Sequence, residues 1–278
     1  MQEIVVINDD SHQSVHTAEY ALHLAKIYQK NIVLVNLAGA GEPQNHFALV
    51  QAQDLLYNSI TSEPQAQEDL AGHLRSLCTD DDFNPRITSL EVQKNDEVKL
   101  INYLNTHPVW MIVMPAAIEE SRAFRRESLN MQSVIYRIQC PLLIVPPDSV
   151  HKNIERIVYV ADLRYAQIPV LQYLTKFFQR ENIILTHRCA PGLPEIDRSY
   201  ANDLFINCIC PNLQSDQIFF SQTSERKIDV LVDAVINGMQ ADWLVCVNRH
   251  FHFDELVGKN IMSKLPHYVN IPMLVFPN

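Results

Sequence analysis

The chain carries one pattern twice. Its only tryptophans, Trp110 and Trp243, each open a five-residue apolar run, Trp110-Met111-Ile112-Val113-Met114 and Trp243-Leu244-Val245-Cys246-Val247. Thirty residues after Trp110 comes Cys140-Pro141-Leu142-Leu143-Ile144-Val145-Pro146, and twenty-eight after Trp243 comes Ile271-Pro272-Met273-Leu274-Val275-Phe276-Pro277. Single apolar runs are common. Two runs at matched spacing, each answered by Pro-x-Leu-x-x-Pro, point to a tandem duplication, and a long internal repeat constrains architecture more than any local propensity.

The repeat sets the domain boundaries. A chain of 278 residues corresponds to about two domains, and the spacing predicts one over residues 1–148 and a second over 153–278. The polar stretch 149–153 then reads as the linker. Each unit is long enough to bury its own core.

Within the first unit, residues 4–7 form a short apolar run that stops at Asn8-Asp9-Asp10-Ser11. Residues 18–28 have the helical period, and 31–36 form a second apolar run. Strand, helix and strand in that order predict a βαβ unit with a parallel sheet and a right-handed crossover. The segment 47–78 reads as mostly helical with a break at Pro64. A strand over 86–92, a helix over 96–105, a strand over 110–114, a helix over 128–137 and a strand over 142–145 complete the unit. The second unit repeats the order: strand 154–160, helix 170–178, strand 182–186, a brief helix 201–208, strand 217–221, helix 228–239, strand 243–247 and the final run. The predicted class is α/β, with two tandem doubly wound domains of five parallel strands each. Ligands in such folds sit beyond the carboxyl ends of the strands, where the winding reverses.

These residues resemble the universal stress protein family in its tandem form. The matching features are an Asp after each first strand (Asp9, and Asp162 in Ala161-Asp162-Leu163), the Ala241-Asp242-Trp243 opening of a fourth strand, and the proline-flanked last strands. The resemblance covers both halves and implies a Rossmann-like fold of the adenine nucleotide alpha hydrolase type. Nucleotide-binding members carry Gly-x-x-Gly, nine residues, then Gly-Ser or Gly-Thr after the fourth strand. There, backbone amides approach the phosphates with no Cβ in the way, beside a helix N-terminus. Counting from each tryptophan puts the first two glycines at Met114 and Ala117, and at Val247 and His250, and none of these is glycine. The third falls at Glu127-Ser128 in the first unit, where Ser128 keeps a hydroxyl. In the second it falls at Asn260, with Gly258-Lys259 just ahead of it.

The resemblance makes Asp9 and Asp162 ligand contacts, whereas local chemistry makes them equally good helix or turn caps. Arg249, His250 and Lys259 in the second unit's loop can replace lost amides by charge-assisted hydrogen bonds to a phosphate. Arg122, Arg125 and Arg126 in the first unit's loop alternate with acidic neighbours and read as a solvated surface. His250, His252 and Asp254 could meet around zinc, but no metal site is expected. Cys208-Ile209-Cys210 lacks redox or zinc spacing, and Cys140 and Cys246 lie inside apolar strands as core residues.

A net charge of −10 argues against binding nucleic acid or an anionic membrane, both of which need a basic face. No apolar run approaches membrane-span length, and no signal peptide is expected, so the expected location is cytoplasmic. No Gly-x-Ser-x-Gly elbow or spaced carboxylate pair occurs, so the chain is not expected to be an enzyme. The leading expectation is a non-catalytic stress-response protein with a degenerate nucleotide site. Its two units would pair through their last strands as an intramolecular pseudo-dimer, with homodimerisation left open. The alternative is an adenine-nucleotide-binding module that uses only the second unit, with weak ATPase activity as its extreme. A small-molecule or metal sensor is the third. No cofactor is fixed by the sequence, and ATP in the second unit is the one candidate.

Overall fold

The computed structural model describes residues 1–8, 13–38, 70–78, 83–93, 96–116, 129–213, 215–225, 227–248 and 269–278. The chain divides into two compact units, Met1–Pro147 and Asp148–Asn278. In the first, β1 (Glu3–Asn8) leads to α1 (Gln13–Tyr28), β2 (Asn31–Ala38), α2 (Leu70–Ser76), β3 (Ile87–Gln93), α3 (Glu97–Thr106), β4 (Val109–Pro115), α4 (Met131–Ile135) and β5 (Leu142–Val145). All pairings are parallel, in the order β3-β2-β1-β4-β5. The second unit has β6 (Arg156–Ala161), α5 (Ile168–Phe177), β7 (Asn182–His187), α6 (Arg198–Leu204), β8 (Ile218–Gln222), α7 (Ile228–Asp233), β9 (Trp243–Val247) and β10 (Met273–Phe276). Its order, β8-β7-β6-β9-β10, is the same doubly wound arrangement.

Burial follows strand position. β5, β9 and β10 are buried at every residue, and β1 and β6 nearly so. Helices cover both faces of such parallel strands, which therefore need apolar side chains on both. The outer strands β3 and β8 are only partly covered and carry Thr88, Ser89, Glu91, Ser221 and Gln222. Asp242 fixes the entrance to the second unit: its Oδ2 accepts the amides of Glu155 (2.7 Å) and Arg156 (2.9 Å), and its Oδ1 lies 2.5 Å from Lys152 Nζ. The Ala-Asp-apolar opening of the fourth strand is thus a clamp on the start of the first.

The tryptophans lie on the fourth strand of their units, but one residue out of register. Ile4 and Ile157 are equivalent, since they pair with Ile32 and Ile183 on the second strands. Ile4 faces Met111, whereas Ile157 faces Trp243. The difference is a bulge. Glu3 pairs with Val109 and Ile4 with Met111, leaving Trp110 as the extra residue. A bulge re-aims a side chain, and here it brings both indoles to the same surroundings. Trp110 packs on Tyr28 at 4.9 Å between ring centres, and Trp243 on Phe178 at 5.4 Å. Both partners stand at the end of the first helix of their unit. Counted by strand register, the position of Val247 corresponds to Pro115 rather than Met114, and it is non-glycine either way.

Three helices differ from expectation. The helix expected over 128–137 is α4 alone, because Asn130 caps it by accepting the Ser133 amide at 3.2 Å. The helix expected over 228–239 stops as an α-helix at Asp233 and widens into a π-turn, Ala234–Gly238, whose closing bond runs from the Met239 amide to the Ala234 carbonyl. The brief helix expected over 201–208 begins earlier, at Arg198 behind the Asp197 cap, and passes into a second π-turn at Phe205–Ile209. Cys140 and Cys246 are buried, and burial pushes both thiols up, that of Cys140 to about 12. No helix among the described residues is long and apolar enough to cross a membrane.

Candidate functional site

The order of strands reverses between β1 and β4, and again between β6 and β9, and in doubly wound folds the carboxyl ends of such strands are where ligands bind. In the second unit the chain leaves β6 at Asp162, which is fully buried. Its side chain caps a 3-10 turn, Leu163–Tyr165, by accepting the Arg164 amide on Oδ1 at 3.1 Å. Arg164 then folds back on it, donating from Nε to Oδ1 at 2.8 Å and from its terminal nitrogen to Oδ2 at 2.5 Å. The Ala190 amide, just past β7, donates to Oδ2 at 2.9 Å. Four donors thus converge on two oxygens, which is the full acceptor capacity of a carboxylate. Burial pushes the Asp162 carboxyl up, but the Arg164 guanidinium and the amides of Ala190 and Arg164 outweigh it and hold the group below its ordinary value. The same pairing raises Arg164.

A second polar group lies beside this one. Asn248 follows β9 directly, and the register from Ile157–Trp243 to Tyr159–Val245, continued upward, sets Asn248 opposite Asp162. The Asn248 backbone amide is bound to the Phe276 carbonyl at 2.8 Å. Its side chain is fully buried, and neither the oxygen nor the nitrogen of the amide has a partner among the described residues. Such a group costs free energy in the unliganded protein. Sequence reasoning missed it. The available signal was a polar residue immediately after five consecutive apolar ones.

On the other side of Asp162, His187 ends β7 and is buried. Its Nδ1 accepts the Leu163 amide at 3.2 Å, and its Nε2 faces Cys189 Sγ at 3.6 Å. The roles of His187 and Arg164 have no local signature, because they depend on how the turn after β6 folds.

In the first unit, Asn8 Nδ2 donates to Asn36 Oδ1 at 3.0 Å, and Asn36 Nδ2 to Glu91 Oε1 at 2.7 Å. This polar ladder crosses the carboxyl ends of three strands. Of the residues expected at the sites, Asp9, Ser128, Arg249, His250, Gly258, Lys259 and Asn260 lie outside the described residues, as do Ala117, the three arginines of the first loop, His252 and Asp254. Met114 is buried at the end of β4. Among the described residues no cluster of three or more His, Cys, Asp or Glu is arranged to hold a metal.

No family model matches the chain, and no curated protein does. Solved structures do match. A universal stress protein from Archaeoglobus fulgidus superposes with a TM-score of 0.59 at 10% identity, covering 99% of this chain and 97% of its own. A protein of unknown function from Pseudomonas aeruginosa and a putative universal stress protein from the same species each give 0.50. Their identities are 11% and 12%, and they span 99% of this chain and 92% and 93% of their own. Over its whole length, then, the chain has the fold of the universal stress proteins.

Proposed function

We propose that the protein is a non-catalytic stress-response protein of the universal stress protein type whose nucleotide site has degenerated. The observation that carries this reading is the state of Asp162. In the resemblance drawn from sequence this carboxylate is the ligand contact, yet its oxygens already take four donors from Arg164 and Ala190. A ligand amine or hydroxyl would have to displace a charged, bidentate partner, the strong class of hydrogen bond. The missing glycines work in the same direction, since a Cβ at Val247 or Met114 stands where a phosphate needs bare backbone. Equilibrium titration with labelled ATP, with and without magnesium, tests the proposal. No saturable binding at millimolar ATP is expected, and stoichiometric binding at micromolar ATP overturns it.

A second reading is favoured by Asn248. A buried amide with free donor and acceptor suits a group with the opposite pattern, such as the edge of a base or a sugar hydroxyl. Under this reading an adenine nucleotide enters the second unit only, with Arg249 and Lys259 supplying charge. Binding that survives Arg125→Ala but is lost in Asn248→Leu would select it over the first.

A further inference from the structure

The outer strands of the two units, β3 and β8, are finished differently. In the first unit the Ile32 amide donates to the Arg86 carbonyl at 2.9 Å, so Arg86, Thr88, Leu90 and Val92 turn their backbone groups to β2. Ile87, Ser89, Glu91 and Gln93 turn theirs outward. Three of these four outward carbonyls are taken: Arg75 donates to Ile87 at 3.2 Å, Lys99 Nζ to Glu91 at 2.6 Å and the Asp96 amide to Gln93 at 2.9 Å. Basic side chains laid along an edge keep a free strand from pairing further.

β8 has no such cover. The Ile183 amide donates to the Gln217 carbonyl at 2.8 Å and the Thr223 amide to the His187 carbonyl at 3.0 Å, so Gln217, Phe219, Ser221 and Thr223 face β7. Ile218, Phe220 and Gln222 therefore direct their amides and carbonyls outward, and no group among the described residues bonds them. Gln222 holds the register position of Glu91, so the place that Lys99 closes in the first unit is open in the second.

The side chains of this edge are equally unguarded. Residues 217–223 include no charge, proline or glycine. Phe220 stacks on Phe205 at 5.4 Å, whereas Phe219, on the other face, is 49% exposed. Phe219 borders a shallow cavity of about 410 Å³ that Ile184, Ser221 and Met239 also line. A bare, uncharged, aromatic edge is a template for another strand.

Charge and symmetry select the occupant. A basic segment would find no carboxylate on this strand. Two chains of net charge −10 repel each other, so they meet most readily along a stretch that carries none. A second β8 is such a stretch, and it leaves the same backbone groups open.

We propose that β8 is a self-association edge, pairing antiparallel with β8 of a second copy about a twofold axis at Phe219. In that register Ile218 and the partner's Phe220 form a hydrogen-bonded pair, as do Phe220 and the partner's Ile218. The two Phe219 rings meet at the axis as a close non-hydrogen-bonded pair. Asp216 falls opposite Gln222, so no like charges face each other. One patch is used twice, which closes the assembly at two copies. A single pair of short strands is a small interface, so the association is weak and reversible. The inference does not rest on either nucleotide reading.

Sedimentation of the full-length chain from micromolar to millimolar concentration is the test. The average mass should rise from one chain toward two. Ile218→Pro removes an outward amide and spares the β7 ladder, since proline is tolerated at the first residue of a strand. Phe219→Lys sets like charges against each other at the axis. Each should weaken association at least tenfold, whereas Ser89→Lys on the β3 edge should leave it unchanged. A chain that stays monomeric throughout, or a dimer that survives both β8 variants, overturns the proposal. Crosslinking gives a readout that does not depend on lost binding. Under mild oxidation Phe219→Cys should form a disulfide-linked dimer beyond the wild-type level, and Ser221→Cys should not. No crosslink from Phe219→Cys, or an equal one from Ser221→Cys, refutes the pairing.

Discussion

Removing the Asp162 carboxylate distinguishes a structural clamp from a spare ligand contact. If the group were held in reserve for a ligand, Asp162→Ala would cost the unliganded protein little. The geometry predicts a large cost. The variant leaves the Ala190 amide buried without an acceptor, in a residue only 2% exposed. It also strips the Arg164 amide of its cap and leaves the guanidinium unpaired. Breaking a buried pair from one side costs about 3–5 kcal/mol, while losing a cap alone costs about 1 kcal/mol. Arg164 retains 19% side-chain exposure and can swing partly into water, which places the expected loss near the lower bound, about 3 kcal/mol. Urea unfolding at neutral pH reads it out. The single tryptophan of each unit makes this selective, because in a Trp110→Phe background Trp243 reports the second unit alone. With a slope of about 2 kcal/mol/M, the midpoint should fall by about 1.5 M. Arg164→Met should cost a comparable amount. The double variant should cost less than the sum by about 1.5 kcal/mol or more, as expected for residues in one network. Additive losses, or a single loss under about 1 kcal/mol, would refute the clamp and return Asp162 to the ligand.

Three further outcomes follow from the same contacts. The Asp162 carboxyl is depressed in the folded state, so the unfolded chain takes up its proton first. Its stabilisation is therefore complete above the unfolded value of about 4 and lost as the pH falls below that. The acid limb of the second unit's stability should flatten in Asp162→Ala, and an unchanged limb would contradict the assignment. Asp242→Ala orphans the amides of Glu155 and Arg156 and should cost about 2 kcal/mol. Lys152→Met, which removes only a partner that is 60% exposed, should cost under about 1 kcal/mol, and a reversed ranking in urea unfolding would refute the clamp at the start of β6. Asn248→Leu replaces a buried, unpartnered amide by an apolar group of similar shape. It should stabilise the second unit by about 1–2 kcal/mol, and destabilisation in the same assay would mean that Asn248 has a partner in solution.

The strands were legible because parallel strands buried on both faces must be written as continuous apolar runs. Those runs gave β5 and β9 to the residue. The tryptophan offset was not legible, because a bulge adds a residue without interrupting the apolar pattern, so counting from Trp110 lands one residue early. A second mark of the repeat was present and unused: Leu24-Ala25-Lys26-Ile27-Tyr28-Gln29 against Leu174-Thr175-Lys176-Phe177-Phe178-Gln179, which places Tyr28 and Phe178 at the same turn. At the site, position was readable and occupancy was not. Asp162 could be assigned to a strand end from its neighbours. That Arg164, two residues on, closes over it depends on a 3-10 turn and on the Ala190 amide arriving from β7, which no local pattern encodes.

The two units also divide the polar work at their strand ends differently. Side chains on paired strands at the same register share a face. In the first unit the last shared rung is Asn8, Asn36 and Glu91, and its amides and carboxylate hydrogen-bond in series. In the second unit the corresponding rung is Ala161, His187 and Gln222. Ala161 cannot extend such a ladder. His187 turns to Leu163 and Cys189, Gln222 takes the place of the Glu91 carboxylate, and the carboxylate that follows β6, Asp162, is taken by Arg164. Among the described residues near these strand ends, the amide of Asn248 and the Oε1 of Gln222 are left unmet. A buried polar group without a partner lowers stability, and its retention is most simply understood where something outside the chain completes it. Both units keep such groups among the described residues, the Oε1 of Gln13 and the Oγ1 of Thr17 at the start of α1 as well as Asn248 and the Oε1 of Gln222, so the difference between the units lies in the rung itself and not in which of them carries unmet polar atoms.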